Sequence, residues 1–551
     1  MNRRHLLSLG TTTVLGGIAL RTLSQARPAI AASSNVPRER RVLNRLSFGA
    51  TPQDLARVRQ MGINAYIEEQ LHPNVENDPD CQARLRAATL AIGSDDHSRP
   101  KQRPLQTLDW SLPQLWQLTE DEDDFEALIR PAAEVMAATW IRAVYSQWQL
   151  QELLVDFWHN HFNINIFKDE WIAVTWPYTD RLMRQHALGN FRVFLEAIAQ
   201  SPAMLLYLDN ASSKASPANE NFARELFELH TLDSERYLND RYQNWRDVPG
   251  AIEQNAIGYI DQDVYEAARA FTGWTIAAEL EDEEGGEDLN TGEFHIQNSW
   301  HDPYQKRVLG VEFAPNQPPL ADGRKVLDLV AYHPGTADHL CTKLCRRFVA
   351  DDPPPSLVQA AVKTWLEHRE NPHQIRETVR VIVQSPEFLD GERQKVKRPF
   401  EFLASYLRAT QANFNPSFAF LESTENSGQM LFGWPTPEGY PDRAAYWLST
   451  HSTLARWHSL FDLTLNEQAD AIQFDLQAQM PTEVRTHRQI VDYWIQRLLG
   501  TALDSQTYEQ LLQTFSQDRN PDSSPPRNAD LKGRVRQLVA LLGTHPDFQW
   551  R

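Results

Sequence analysis

Cysteine is scarce. The chain of 551 residues has three, Cys81, Cys341 and Cys345, and an odd number excludes a complete set of disulfides within one chain. Cys341 and Cys345 lie four apart in HLCTKLCRRF beside Leu340, Leu344 and Phe348. One helical face therefore carries them, and buried thiols acting as small hydrophobes are the expected role. A metal site built on them would need further ligands that the local sequence lacks.

Positive charge is also short. Lys and Arg number 54 against 73 Asp and Glu, a formal net charge of -19, which removes the cationic surplus that phosphate binding draws on. No nucleic-acid partner is expected. The dense basic points, RERR at 38–41 and the Arg346–Arg347 pair, read as solvated faces. Long apolar runs are missing as well: the stretch from Leu6 to Leu20 falls short of the roughly 20 residues that span a bilayer. There is no C-x-x-C-H and no G-x-G-x-x-G, so attached haem and a dinucleotide fold have no motif behind them. Alternating strand patterns are few.

What is present begins at the N-terminus. MNRRHLLSLGTTTVLGGIAL sets Arg3 and Arg4 before a diluted apolar segment, and Ala29-Ile30-Ala31 offers a small-residue cleavage site. Twin arginines followed by His5, Leu6 and Leu7 resemble the twin-arginine export signal, with an ordinary secretory signal as the alternative. Residues 1–31 are expected to be that signal, and the export machinery is the partner it implies. The mature protein is expected in the periplasm or outside the cell.

Most of the remaining chain shows helical spacing. TPQDLARVRQMGINAY opens with Thr51 as an N-cap and Pro52 at the first helical position, until Gly62 breaks the pattern. Apolar positions recur from Glu134 to His161 over several turns. Ser-Pro or His-Pro steps close the apolar runs near 201, 385 and 545, because proline disfavours the α conformation in the residue before it. The expected fold is mainly α: a large multi-helix array with long loops and at most minor β structure. Residues 32–415 are taken as the main domain, and 416–551 as a helical subdomain packed on it. The stretches 279–293, 411–428 and 516–530 read as surface loops; the first lacks the Asp/Asn alternation of a calcium loop.

Three polar segments could carry chemistry. LVDFWHNHFN places His159 and His161 two apart, about 200° around a helix, so both face one ligand only if the helix stops near His161 and leaves them in an irregular turn. Asp156, one turn earlier, could ligate or orient the His159 ring. SPANENFARELFELHTL reads as a helix starting at Ser216–Pro217 with Phe222, Leu226 and Leu229 buried; Asn221, Glu225 and Glu228 edge that stripe, and Glu220 and Arg224 form a surface pair. FHIQNSWHDPYQKRVLG carries His295, His301, Asp302 and Lys306 on a turn.

Taken in order, LNRLSFGATPQDLARVRQMGINAYIEEQL, FWHNHF, NENFARELFELHTL, ARAFTGW, HDPYQKRVLG, HPGTADHLCTKLCRRFV, SPEF, VKRPFEF and GQMLFGWPTPEGYP resemble the motif series of the bacterial domain-of-unknown-function 1800 family, over roughly Leu43 to Phe548. The resemblance implies an exported protein, commonly encoded beside a second exported family that is a candidate partner, and no established reaction. It singles out His159, Asn160 and His161; Asn219, Glu220, Asn221, Arg224, Glu225 and Glu228; Thr272, Gly273 and Trp274; and His301, Asp302 and Lys306. His230 and Asp233 depart from the pattern, which has a non-histidine residue and a glycine there. His230 is therefore set aside as a ligand, and the shape of the loop from Ser234 to Ile260 is open.

The expected site joins His159, His161, Glu225 and His301 around a divalent metal ion, with Glu225, Glu228, Asp302 and Lys306 as catalytic groups. A metal-bound water would attack an ester or glycosidic bond in a small molecule or polysaccharide. The alternatives are a non-catalytic envelope or carbohydrate-binding protein, for which 16 tryptophans supply stacking surface, and a metal-dependent oxidoreductase.

Overall fold

A computed structural model describes residues 36–92, 101–121, 123–280, 289–391, 394–465, 472–526 and 529–551. The expected export signal lies outside them, as does the middle of the acidic stretch 279–293. Leu280 and Leu289 bridge the two sides of that stretch.

The fold is mainly α, as expected. Helices make up most of it, and strands occur among the described residues as four two-stranded antiparallel ribbons. Helix α1 (Pro52–Met61) starts as its sequence predicts: Thr51 and Asp54 cap each other's backbone N–H, Pro52 sits at the first position, and Gly62 ends the helix at φ +85°.

The run from 134 to 161 is not one helix. It divides into α2 (Phe125–Tyr145) and α3 (Gln149–His161). The break has a local cause: the Gln149 side-chain amide donates to the Ala143 and Ser146 carbonyls, at 3.2 and 2.8 Å, and so finishes α2 from the first residue of α3. Helix α2 is buried along most of its length, from Leu128 to Val144, and α4 (Glu170–His186) packs along it.

The Ser-Pro and His-Pro steps do double duty. Helices end at Ala199, Val383 and Gly543, and the prolines at 202, 386 and 546 open short helices in which Ser201 and Ser385 accept from Met204 N and Phe388 N.

Helix α5 (Asn221–Glu225) starts five residues after the expected Ser216 and passes directly into a π-helical turn, Leu226–His230. The wider turn moves Leu229 off the buried stripe that holds Phe222 and Leu226. Helix α6 (Asp261–Phe271) leads into the ribbon β1 (Trp274–Ile276) and β2 (Phe294–Ile296), followed by the hairpin β3 (Lys306–Val308) and β4 (Val311–Phe313). Helices α7 (Pro319–Ala331) and α8 (Pro334–Phe348) come next. One hydrophobic cluster takes in residues from Val42 to Phe548, on both sides of residue 415. All three cysteines are free and buried. No helix among the described residues is long and apolar enough to cross a membrane.

Candidate functional site

Helix α3 stops at His161, and both histidines lie inside its last turn rather than in an irregular segment. Their rings therefore meet different neighbours. His159 Nε2 donates to Asp180 Oδ1 on α4 at 2.9 Å. Arg184 holds the other Asp180 oxygen at 2.8 Å and pairs with both oxygens of Glu152. Burial alone would raise the Asp180 acid; Arg184, His159 and Arg142 outweigh it and hold the carboxylate well below the usual range. A cavity of about 10 Å³, room for one water molecule, lies beside His159, Thr139 and Arg184. The carboxylate that orients His159 is thus Asp180. Asp156, expected in that role, instead pairs with Arg347 at 3.1 Å and with Arg398.

His161 faces the other way. Its Nε2 lies 3.2 Å from the His230 carbonyl, so Nε2 carries the proton and donates; its Nδ1 accepts from Lys343 Nζ on α8 at 2.9 Å. Burial, then the charge of Lys343, holds His161 well below the ordinary imidazole range, and the same two causes take His230 down to about 3. The His161 ring centroid is 6.0 Å from those of both His230 and His339. His230, set aside on sequence grounds, is thus part of this cluster. His339 Nδ1 meets Asp233 Oδ2 at 2.5 Å; burial raises the Asp233 acid, but the bond to His339 prevails and brings it to about 2. Burial brings the Lys343 ammonium down to about 8.

The asparagines of the same motif shape a loop. Asn160 Nδ2 donates to the Tyr440 carbonyl at 2.9 Å, and its Oδ1 accepts from Tyr440 N at 2.8 Å. Asn163 Nδ2 donates to the carbonyls of Trp434 and Thr436 at 3.0 and 2.8 Å. The approach is so close that a Cβ on Gly439, at φ +75°, would sit 2.1 Å from the Asn160 carbonyl oxygen; only glycine fits. On this loop Glu438 accepts from Thr436 Oγ1 and Trp434 Nε1 at 2.6 and 3.2 Å.

Glu225 is half-buried and has no hydrogen-bond or ion-pair partner among the described residues. Burial, followed by the charges of Glu228 and Glu438, pushes its acid up to about 7, against weak opposition from Arg224. Glu220 and Arg224 form the expected pair at 3.2 Å. Burial, followed by the charges of Glu438 and Glu225, raises the Tyr207 phenol, whose hydroxyl donates to the Pro435 carbonyl at 3.0 Å.

The third segment is closed upon itself. Asp302 is held by Arg269 through two bonds of 2.8 and 3.0 Å. Lys306, 2% exposed, donates to the carbonyls of Asp302 and Tyr304 and to Asp322 Oδ2 at 2.8 Å. His301 Nδ1 donates to the Thr272 carbonyl at 2.9 Å, and its Nε2 lies 3.4 Å from Asp322. Arg269 keeps Asp302 low, and His301 and Lys306 keep Asp322 low, each against burial. His295 stands apart on β2, opposite Thr275.

The four positions expected to share a metal ion therefore have separate surroundings: His159 with Asp180, His161 with Lys343, His301 with Asp322, and Glu225 with other glutamates. Among the described residues, no three His, Cys, Asp or Glu side chains gather so as to hold a metal ion. The charges of Glu228 and Glu438 both act on Glu225. Asp180, Lys343, His339 and Glu438 were missed from the sequence. His339 and Lys343 stand four apart on the helix of Cys341 and Cys345, and Glu438 lies in the GQMLFGWPTPEGYP motif.

No curated protein and no solved structure matches the chain. A family model described as a protein of unknown function, DUF1800, matches residues 41–550, nearly the whole sequence, and the chain belongs to that family.

Proposed function

We propose that the chain is an exported hydrolase that cleaves a glycosidic or ester bond by acid–base chemistry, with Glu225 as the acid. The observation that carries this reading is Glu225 itself: a half-buried carboxyl without a hydrogen-bond or ion-pair partner among the described residues, whose pKa burial and the charges of Glu228 and Glu438 push up to about 7. Near neutral pH such a group is protonated about half of the time, and it gives its proton to a leaving oxygen. Glu228, three residues on, supplies negative charge opposite the carbon from which that oxygen departs, or takes a proton from the attacking water. Trp434 and Tyr440, on the loop anchored by Asn160 and Asn163, offer ring faces of the kind that stack on sugars, and Tyr446 beside Trp434 is 46% exposed. The expected metal enters no step, because its donors do not converge. Export rests on Arg3 and Arg4.

The test is hydrolysis of labelled polysaccharides and of aryl glycosides and esters by the protein recovered outside the cytoplasm. Glu225→Gln should lower turnover by about 10²–10⁴-fold with the fold retained. Turnover by the native chain should fall above about pH 7 as Glu225 ionises. Arg3→Lys with Arg4→Lys should leave the activity inside the cell. A Glu225→Gln protein of native activity would sink the acid assignment, and binding of polysaccharide without cleavage would favour a carbohydrate-binding role.

A further inference from the structure

The turn that carries Glu228 is held from outside. Leu226–His230 is π-helical, a rare local form that occurs mostly as single turns and often at functional sites. It ends its helix, so the carbonyls of its last residues have no partner further along the axis. Side chains supply the missing donors. Thr231 Oγ1 donates to the Leu226 carbonyl at 2.5 Å, His339 Nε2 to the Leu229 carbonyl at 3.1 Å, and His161 Nε2 to the His230 carbonyl at 3.2 Å. The Phe227 carbonyl takes the Asp233 N–H at 3.1 Å.

Each imidazole is itself aimed from its far side. Lys343 Nζ donates to His161 Nδ1 at 2.9 Å, which leaves the His161 proton on Nε2, facing the His230 carbonyl. Asp233 Oδ2 holds His339 Nδ1 at 2.5 Å, which turns Nε2 toward the Leu229 carbonyl. The rings come from two elements, α3 and α8, and His339 and Lys343 share one face of α8. His161 and His230 are both buried, so a turn that lost these donors would leave carbonyl oxygens unpaired inside the protein.

The turn sets the angle between Glu225 and Glu228. Three residues of regular α-helix would put the two side chains about 60° apart around the axis. The π turn begins directly after Glu225 and opens that angle. Two carboxylates repel, so they do not hold each other in place; the backbone has to. We infer that His161 and His339 are positioning residues for these two carboxyls: through the carbonyls of Leu229 and His230 they fix the π turn, and with it the placement of Glu228 relative to Glu225. This role rests on the reading of Glu225 and Glu228 as the acid and its companion. Both rings act through the backbone.

The test separates the donor from the ring. His161→Gln and His339→Gln each keep an amide N–H at about the reach of the imidazole Nε2, whereas His161→Leu and His339→Leu keep bulk and lose the donor. In the full chain, labelled at glutamate, the Glu225 carboxyl is followed by carbon-13 NMR from about pH 4 to 9 and assigned by its loss in Glu225→Gln. Turnover is measured on the glycoside or ester that the native chain cleaves. The leucine variants should move the Glu225 midpoint by about 0.5 pH unit or more, and lower kcat about tenfold or more with KM within about twofold. The glutamine variants should keep the native midpoint and kcat. A midpoint unmoved by leucine would overturn the inference, and so would one moved equally by glutamine. His339→Gln also gives up the bond to Asp233, so an equal shift there would assign the effect to that pair and not to the carbonyl. The glutamine variants decide the matter even if the leucine variants fail to fold. Absence of turnover in the native chain would remove the hydrolase reading, while the NMR midpoints would still report whether the two rings position Glu225 and Glu228.

Discussion

The His301–Asp302–Lys306 turn and the Glu225–Glu228 turn carry similar ionisable groups in opposite circumstances. In the first, every group is used: Asp302 by Arg269, Lys306 by Asp322 and two carbonyls, His301 by the Thr272 carbonyl. Such a network fixes the geometry of α6, β3 and α7 and leaves no group ready to act. In the second, Glu225 has no partner and faces like charge. The sequence motifs mark both turns, so a motif rich in acids and bases does not by itself separate scaffolding from chemistry. Satisfaction of the side chains does.

Breaking the first turn should have the largest effect. Asp322→Ala leaves Lys306 and His301 buried without their acid, and removing one partner of a buried pair costs about 3–5 kcal/mol. Urea denaturation would measure it; a loss below about 1 kcal/mol would mean that the network is not closed as described. The second turn should respond with the opposite sign. An acid raised to about 7 in the folded chain holds its proton longer than in the unfolded chain, so stability falls as pH rises from about 4.3 through 7. Glu225→Gln removes that cost. The variant should match the native chain at pH 4 and exceed it by about 2 kcal/mol at pH 8, allowing for solvent screening. Equal stability at both pH values would remove the strain assigned to Glu225. Loss of activity together with a gain in stability is the expected trade at a working acid.

Much of the helical fold was legible because its signals are local. Thr51, Pro52 and Gly62 bound α1 through contacts within four residues of themselves. The end of α3 at His161 was readable for the same reason. The break at 146–148 was not, since an apolar pattern runs through it and the cause is one side chain, Gln149, bonding back to the preceding helix. The candidate site was legible in half. Glu225 and Glu228 were visible as an edge of a helical stripe, but the charge of Glu438 acts on Glu225 from a loop held by Asn160 across 280 residues, and Lys343 meets His161 across 182. Periodicity carries no information over such spans. The H-x-H pair shows the converse: its spacing invited one shared ligand, and the continuing helix sent the two rings to different partners.

Asp233 offers the smallest expected effect and the finest discrimination between an occupied group and a strained one. The observed φ of +79° is what glycine adopts freely. Asp233→Gly would relieve roughly 1–3 kcal/mol of backbone strain. It would also surrender the bond to His339 and pay about 0.5–1 kcal/mol for the looser unfolded chain. These terms nearly cancel, so denaturation at pH 7 should show a change within about 1 kcal/mol. Asp233→Ala loses the bond and keeps the strain, and should be the less stable of the two by about 1 kcal/mol or more. Because Asp233 is held at about 2 by His339, the native chain keeps that pair's contribution above the unfolded acid's value near 3.9 and loses it as pH falls toward 2; neither variant has it to lose. A glycine variant that matches the alanine variant throughout would show that position 233 bears no strain, and that aspartate stands there for His339 alone.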